Sequence, residues 1–409
     1  MQKMFCLILM IVVLTGSWAF AQENRYDALG FYGERGMWPV QRDGKWGFVD
    51  TEGALIVPCE WDDVGMVVGG RAPVCKDGKW GAIDRAGNII VPCEWTMLFV
   101  YEDGGFVIND NGRSGALAAD GSVLVPCGRF DSVGTVIDGA RRIREDESWG
   151  LCTEDGTVIT DCQWNDTGYF SEGLAWVQDE KRLHGYVNWQ GETVLPCQYR
   201  HAEDFHDGSA VVQLSTGYYN LIDTSGRLLC TPAWTDMETF TDNALIMVLR
   251  GDKYGYINRR GEVVIPLMYD RAQAFGDGLA LVKIGEDSFW IDETGRKVLD
   301  RPEGYVSHPF RDGLVSMQNA QGLNGMMDRQ GNFVIPCEWD NWLRYAFGLS
   351  DIDIVSKGGQ IGFVNRQGTL LAGGLHARES VSYGLDGDRL FLLKDGVLSI
   401  YAADGTKVY

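Results

Sequence analysis

Eleven glycines, Gly53, Gly87, Gly121, Gly156, Gly191, Gly226, Gly261, Gly295, Gly331, Gly368 and Gly405, recur at intervals of 34 to 37 residues, and nothing else restricts the fold as strongly. Self-similarity at such a period marks one array of small supersecondary units rather than two or three ordinary domains. Asp or Asn stands three residues ahead of most of these glycines: Asp50, Asp84, Asn188, Asp223, Asn258, Asp292, Asp328 and Asn365. A side chain that can hydrogen-bond its own backbone, followed by a glycine free to take positive φ, specifies a tight β-hairpin. Six residues before the turn lies a second glycine column, represented by Gly47, Gly81, Gly115, Gly150, Gly185, Gly255, Gly325 and Gly362.

Strands fall into place around the turn. One is short, as in Trp46 to Asp50; one is the β-branched run after the glycine, as in Leu55 to Pro58; and a third, such as Gly173 to Val177 or Gly278 to Val282, precedes the hairpin. The proline cannot donate to a ladder, so it marks the end of pairing or a bulge. An aromatic, Phe170, Phe205, Phe240, Phe275 or Phe310, comes a few residues before that third strand. No stretch has helical periodicity. Apolar residues alternate onto both faces of each strand, so each three-stranded sheet needs cover on two sides, which neighbouring units supply. The predicted fold is all-β: a tandem array of about eleven antiparallel units of ~35 residues, arranged as an open or curved solenoid or as a propeller-like ring. Eleven units exceed the 4 to 8 blades usual for a propeller, which favours the open form.

These columns resemble the WG-repeat (KWG-repeat) family, whose unit opens on Trp-Gly and closes on Pro-x-x-aromatic-Asp. Gly44-Lys45-Trp46-Gly47 and Gly78-Lys79-Trp80-Gly81 match the opening, and Pro58-Cys59-Glu60-Trp61-Asp62 and Pro336-Cys337-Glu338-Trp339-Asp340 match the close. The resemblance covers the chain beyond its first residues. It implies a bacterial, β-rich, often exported tandem repeat, and no shared activity or catalytic residue.

Lys3, the apolar run Met4 to Leu14 and the small-residue site Ala19-Phe20-Ala21 have the layout of a secretory signal peptide, residues 1–21, cleaved after Ala21. The remainder, 22–409, is expected to be a single array, secreted or held in the cell envelope, with no membrane insertion after the signal is removed. A formal net charge of −21 argues against nucleic acid, whose binding draws its affinity from Lys and Arg.

Nine cysteines follow Cys6. Six of them, Cys59, Cys93, Cys127, Cys162, Cys197 and Cys337, occupy one column, six residues after the turn glycine. Equivalent positions in successive units lie too far apart for a disulfide, which needs Cα atoms within about 7 Å. The column therefore reads as small, buried, reduced side chains, and one cysteine per unit does not make a zinc site.

Candidate chemistry is sparse. The acids Asp62-Asp63, Glu145-Asp146-Glu147 and Asp351 with Asp353 form no special constellation, and His184, His201, His206, His308 and His376 are scattered. The turn carboxylates are explained by the turn, since calcium takes six to eight oxygens. No catalytic residue, cofactor or metal is expected. Among 14 tryptophans, Trp46, Trp80, Trp149, Trp61, Trp95, Trp164 and Trp339 lie in repeat columns and read as core. The off-column Trp38, Trp176, Trp189 and Trp342 are the candidates for ligand contact, because an aromatic face can stack on a sugar ring. The expected function is a non-enzymatic exported scaffold that binds an extracellular protein or a cell-envelope glycan. The alternatives are an extracellular glycan-cleaving or other hydrolase on a propeller-like ring, and a purely structural spacer.

Overall fold

The turn chemistry of the sequence is what the backbone adopts. All eleven turn glycines have positive φ, for example 84° at Gly53 and 82° at Gly261. The Asp50 carboxylate accepts the amides of Glu52 and Ala54 at 3.0 and 2.8 Å, and Asn258 accepts those of Arg260 and Glu262 at 3.0 Å each. Each turn thus satisfies its own amides with a local side chain, the reason Asp and Asn are favoured there. The computed structural model describes residues 25–30, 33–34, 36–230, 233–238, 243–344, 352–376 and 381–409. The leader 1–21, Phe240 and Asp351 lie outside the described residues, as do the side chains of Trp342 and His376.

The chain forms eleven small antiparallel sheets in sequence order, with no helix among the described residues. The first consists of Ala28–Leu29, Trp38–Arg42, Lys45–Val49 and Leu55–Trp61, each strand paired with the next. Nine sheets have four strands where three are expected. The added strand runs to six residues in Ser132–Ile137 but is mostly two residues long, as in Asp63–Val64 or Arg271–Ala272, and a two-residue strand carries no periodicity by which sequence could reveal it. Two sheets have three strands, one built on Ser209–Gln213 and the last on Val381–Asp386, Arg389–Lys394 and Val397–Ala402; each has the added strand and only isolated bridges after its turn glycine.

The Trp-Gly and Pro-Cys-Glu-Trp phrases are two sides of one ladder. Trp46 pairs with Trp61 and Phe48 with Val57, so Pro58, Cys59 and Glu60 together face Gly47 in a wide bulge. A Cβ on Gly47 would stand 2.5 Å from the Val57 carbonyl oxygen, which fixes glycine there by close approach rather than by φ. Tyr254, Gly255 and Tyr269 repeat the device in the seventh sheet. The cysteine column sits at the centre of this bulge. Its members are half-buried, not buried as expected, because a bulged residue leaves the packed face; Cys59, Cys93 and Cys337 direct their thiols toward the carbonyls of Val40, Val74 and Met317 at 3.9, 3.7 and 3.5 Å. All nine are free thiols. Burial raises the pKa of Cys59, Cys93, Cys162, Cys197 and Cys337, and pushes Cys152 up to about 11.

Core residues come from adjacent sheets. Leu174, Tyr186 and Leu195 of the fifth sheet pack with Phe205, Ala210, Val212 and Ile222 around the sixth. Tyr186 meets the Phe205 ring at 4.9 Å and donates its hydroxyl to the Glu203 carbonyl at 2.7 Å; Tyr256 does the same with Phe275 and Gln273. The phenylalanine column therefore carries each sheet's aromatic core onto the next, and burying one such ring fully is worth about 1.5 to 3 kcal/mol. Cover on both faces holds for the inner strands. The outermost strand alternates, leaving Leu55, Ile89, Val123 and Val263 exposed.

Contacts divide the chain into two compact units, Met1–Gly104 with Trp339–Tyr409, and Gly105–Glu338. Within the first, the first sheet packs on the last. Trp38, Val40 and Val49 share a core with Phe391, Leu398 and Ile400, Trp38 stacks on Phe391 at 4.6 Å, and Arg25 bridges to Val397. That contact between the first and last sheets is one that no spacing in the repeat specifies.

Candidate functional site

Trp38 is 1% exposed. It serves the join between the first and last sheets and is not available to a ligand. Trp176 is half-buried and packs edge-on against His184 at 5.4 Å, and Trp189 is 36% exposed but has one face covered by Phe170 at 3.9 Å. Trp176 and Trp189 thus pack on different ring partners. What sequence reasoning passed over is the column itself, since Trp46 and Trp80 are only half-buried and form walls of a groove.

This groove, of about 530 Å³, lies within the first unit. Pro39 and Pro73 contribute from the strands ahead of the hairpins, Trp46 and Trp80 from the hairpins, and Asp63 to Met66 and Met97 to Val100 from the segments that open the second and third sheets. Met66, Met97 and Phe99 are 54%, 49% and 49% exposed, so the groove opens onto an apolar surface rather than a sealed core. Gly30 and Gly65 admit the prolines, whose Cβ atoms would lie 2.7 and 2.8 Å from any Cβ added there. Asp63 is the single charged residue in the lining, and its carboxylate accepts the amide of Val64 at 2.9 Å. Its neighbour Asp62 is engaged by Lys45 and by the Asp77 amide, which hold its carboxyl below the usual range.

The same place in the repeat is shaped again in the second unit with different chemistry. Tyr254 stands where Trp46 does, Leu281 where Pro39 and Pro73 do, and Arg271 where Asp63 does, by their pairings with Tyr269 and Trp290 and their position after the bulge. Together with Ala272, Gln273, Lys283, Ser288 and Arg301 they line a pocket of about 360 Å³. In the fifth and sixth sheets the place is filled. Trp176, His184 and His201 interlock, with His184 and His201 rings 5.6 Å apart and His201 3.3 Å from the buried Glu203. Burial, then the neighbouring His201, lowers the His184 pKa. In the fourth sheet the Trp149 face is covered by the Arg142 guanidinium at 4.2 Å. The His184 and His201 juxtaposition was hidden in sequence by their separation of 17 positions, though the register of the repeat places them one above the other.

Among the described residues no group of three or more His, Cys, Asp or Glu is placed to hold a metal ion. Of the acids considered above, Asp353 is fully buried and accepts the Ile354 amide at 2.8 Å, and Glu145 pairs with Arg113 at 3.2 Å.

Small antiparallel sheets repeated around a Trp-Gly hairpin and a Pro-x-x-aromatic bulge define a β-repeat scaffold of the propeller-blade kind. The model of the WG containing repeat matches the chain six times, at 46–80, 80–113, 149–182, 185–218, 254–286 and 325–344, and the chain belongs to the WG-repeat family. No curated protein matches it. Among solved structures it is similar to a eukaryotic initiation factor, with 10% identity, 83% of this chain and 94% of the other covered, and a TM-score of 0.44. It is also similar to BamB from Moraxella catarrhalis, with 11% identity, 66% and 92% coverage and a TM-score of 0.31. The WD40 β-propeller domain of Doa1 is matched at 11% identity, 63% and 92% coverage and a TM-score of 0.25.

Proposed function

We propose that this chain is an exported, non-enzymatic repeat scaffold that holds an extended apolar segment of a partner protein in the groove of the first unit. The observation that carries the reading is the combination of Trp46 and Trp80 walls with the exposed Met66, Met97 and Phe99. Clustered exposed apolar side chains mark interaction surfaces, methionines adapt to irregular partners, and tryptophan is a frequent anchor of binding energy. Asp63 within the lining and the net charge of −21 favour a segment flanked by Lys or Arg.

Selection from a displayed peptide library on the full chain tests it. Enriched peptides should combine apolar residues with a flanking cation and lose at least about tenfold in affinity on Trp80→Ala or Phe99→Asp. Retention of neutral glycans with no peptide enrichment overturns the protein reading in favour of a sugar site. Export is supported by the leader pattern of residues 1–21, and N-terminal sequencing of protein from the native host should start at Gln22; a cytosolic product starting at Met1 would sink it.

A further inference from the structure

We propose that the basic pocket of the second unit binds a small oxyanion-bearing ligand, a carboxylate or phosphate carried on a ring-sized body. Arg271, Lys283 and Arg301 converge on one pocket of about 360 Å³ in a chain whose formal net charge is −21. Like charges drawn into one cavity repel each other, and the arrangement is relieved by an anion between them.

Two half-buried guanidiniums elsewhere are neutralised by the chain's own acids. Arg142 meets Asp166, and Arg113 meets both Asp131 and Glu145 at 3.1 and 3.2 Å. The pocket differs from those two cases. Among the described residues neither Arg271 nor Arg301 has a carboxylate partner, and Arg301 reaches only the carbonyl of Tyr305. The acid next to Arg271, Asp270, is taken by Lys253 and by the Gly285 amide at 2.6 Å. Lys283 meets the fully exposed Glu286 at 3.7 Å and lies close enough to Asp270 to help hold that carboxyl below its usual range.

Two guanidiniums present planar forks suited to a carboxylate or phosphate, and the ammonium adds a mobile third donor. Tyr254 and Leu281 add apolar lining, which suits the face of a sugar ring or a short aliphatic body. A volume of this size is at the small end for ligand pockets. The site is independent of the groove proposed above for a protein segment, since the two share no residue.

Isothermal titration of the full chain with D-glucuronate, glucose 6-phosphate and neutral glucose, at about 50 mM salt where screening is modest, tests the proposal. At least one anion should bind while glucose does not, and which anion binds separates the carboxylate source from the phosphate source. Arg271→Gln should weaken that affinity by at least about tenfold and Lys283→Gln by several-fold, whereas Trp80→Ala should leave it unchanged. Arg271 is exposed, and an unchanged melting temperature for its variant shows that folding is intact. Binding of neither anion, equal binding of glucose, or an affinity indifferent to both Arg271→Gln and Lys283→Gln overturns the assignment.

Discussion

The groove of the first unit and the pocket of the second occupy the same place in the repeat and share a backbone plan, yet one is an apolar surface with a single acid and the other is a basic cavity. The plan is the bulge: Trp46 or Tyr254 held across from Trp61 or Tyr269, a glycine beneath, and a short strand opening the next sheet. The difference lies in the residue that follows the bulge and its acid, Asp63 in one case and Arg271 in the other. The scaffold is thus uncoupled from the chemistry it presents. Hydrogen bonds within the hairpin and rings passed between sheets stabilise the repeat, and neither depends on what occupies that position.

The strongest way to break the comparison is to attack the common plan. Gly47→Ala and Gly255→Ala each place a Cβ 2.5 or 2.7 Å from a carbonyl oxygen of the bulged strand, and each should cost about 1 to 3 kcal/mol as overpacking does. Urea denaturation of the two variants should return similar losses; a free substitution at one site would show that the bulges are not equivalent.

Next in size is a test of the groove's own wall. Met97→Asp should abolish enhancement of a hydrophobic dye bound at the first unit and reduce peptide affinity by about 1 to 2 kcal/mol, with glucuronate binding unchanged. Loss of both activities would mean that the substitution disturbs the scaffold instead of one site.

Asp63→Arg asks whether charge at this position suffices. It should confer only weak anion affinity, because the groove supplies no counterparts of Lys283 and Arg301; affinity equal to that of the pocket would show that the surrounding cations are dispensable.

The filled version of the site gives a pH signature. Burial lowers the folded pKa of His184, with His201 adding to it while the Arg200 and Tyr199 backbone and Asp166 oppose it. A group whose folded pKa is depressed contributes stability above its unfolded value, about 6.5 for histidine, and that contribution is lost as pH falls toward and through the lower folded value. Melting temperature should therefore decline as pH drops below about 6.5, and His184→Gln should flatten the decline. A parallel pH profile in the variant would show that His184 does not carry the effect.

The smallest effect expected is kinetic. Thiols whose pKa is raised by burial are poor nucleophiles at neutral pH, so Cys59, Cys93, Cys162, Cys197 and Cys337 should react slowly with a disulfide reagent in native protein and readily in denaturant. Fast labelling of Cys59 or Cys93 without denaturant would contradict the raised pKa of both.

Much of the fold was legible because it is local. An Asp or Asn three residues before a glycine closes a hairpin using only its own neighbours, so Asp50 to Gly53 declares itself without knowledge of the rest of the chain. The bulge was half legible: Pro58 marked a break in pairing, but three residues opposite Gly47 appear only when the strands are laid together. The candidate sites were least legible. A column tryptophan reads as core wherever it recurs, and Trp46 differs from Trp61 only in what its neighbours leave uncovered. Trp38, by contrast, stood outside the columns because it packs against a sheet more than 340 residues away in sequence, on Phe391.

By itself, then, the sequence determined the unit, its hairpin, its number of copies and the family, since each is repeated along the chain and each rests on short-range hydrogen bonding and steric rules. The tertiary structure decided that the first sheet seats on the last, that the cysteine column lies in a bulge, and that one repeat position opens as an apolar groove, a basic pocket or a filled histidine cluster. Those outcomes depend on side chains from different units meeting in space, and no spacing within a single unit specifies which neighbours they meet.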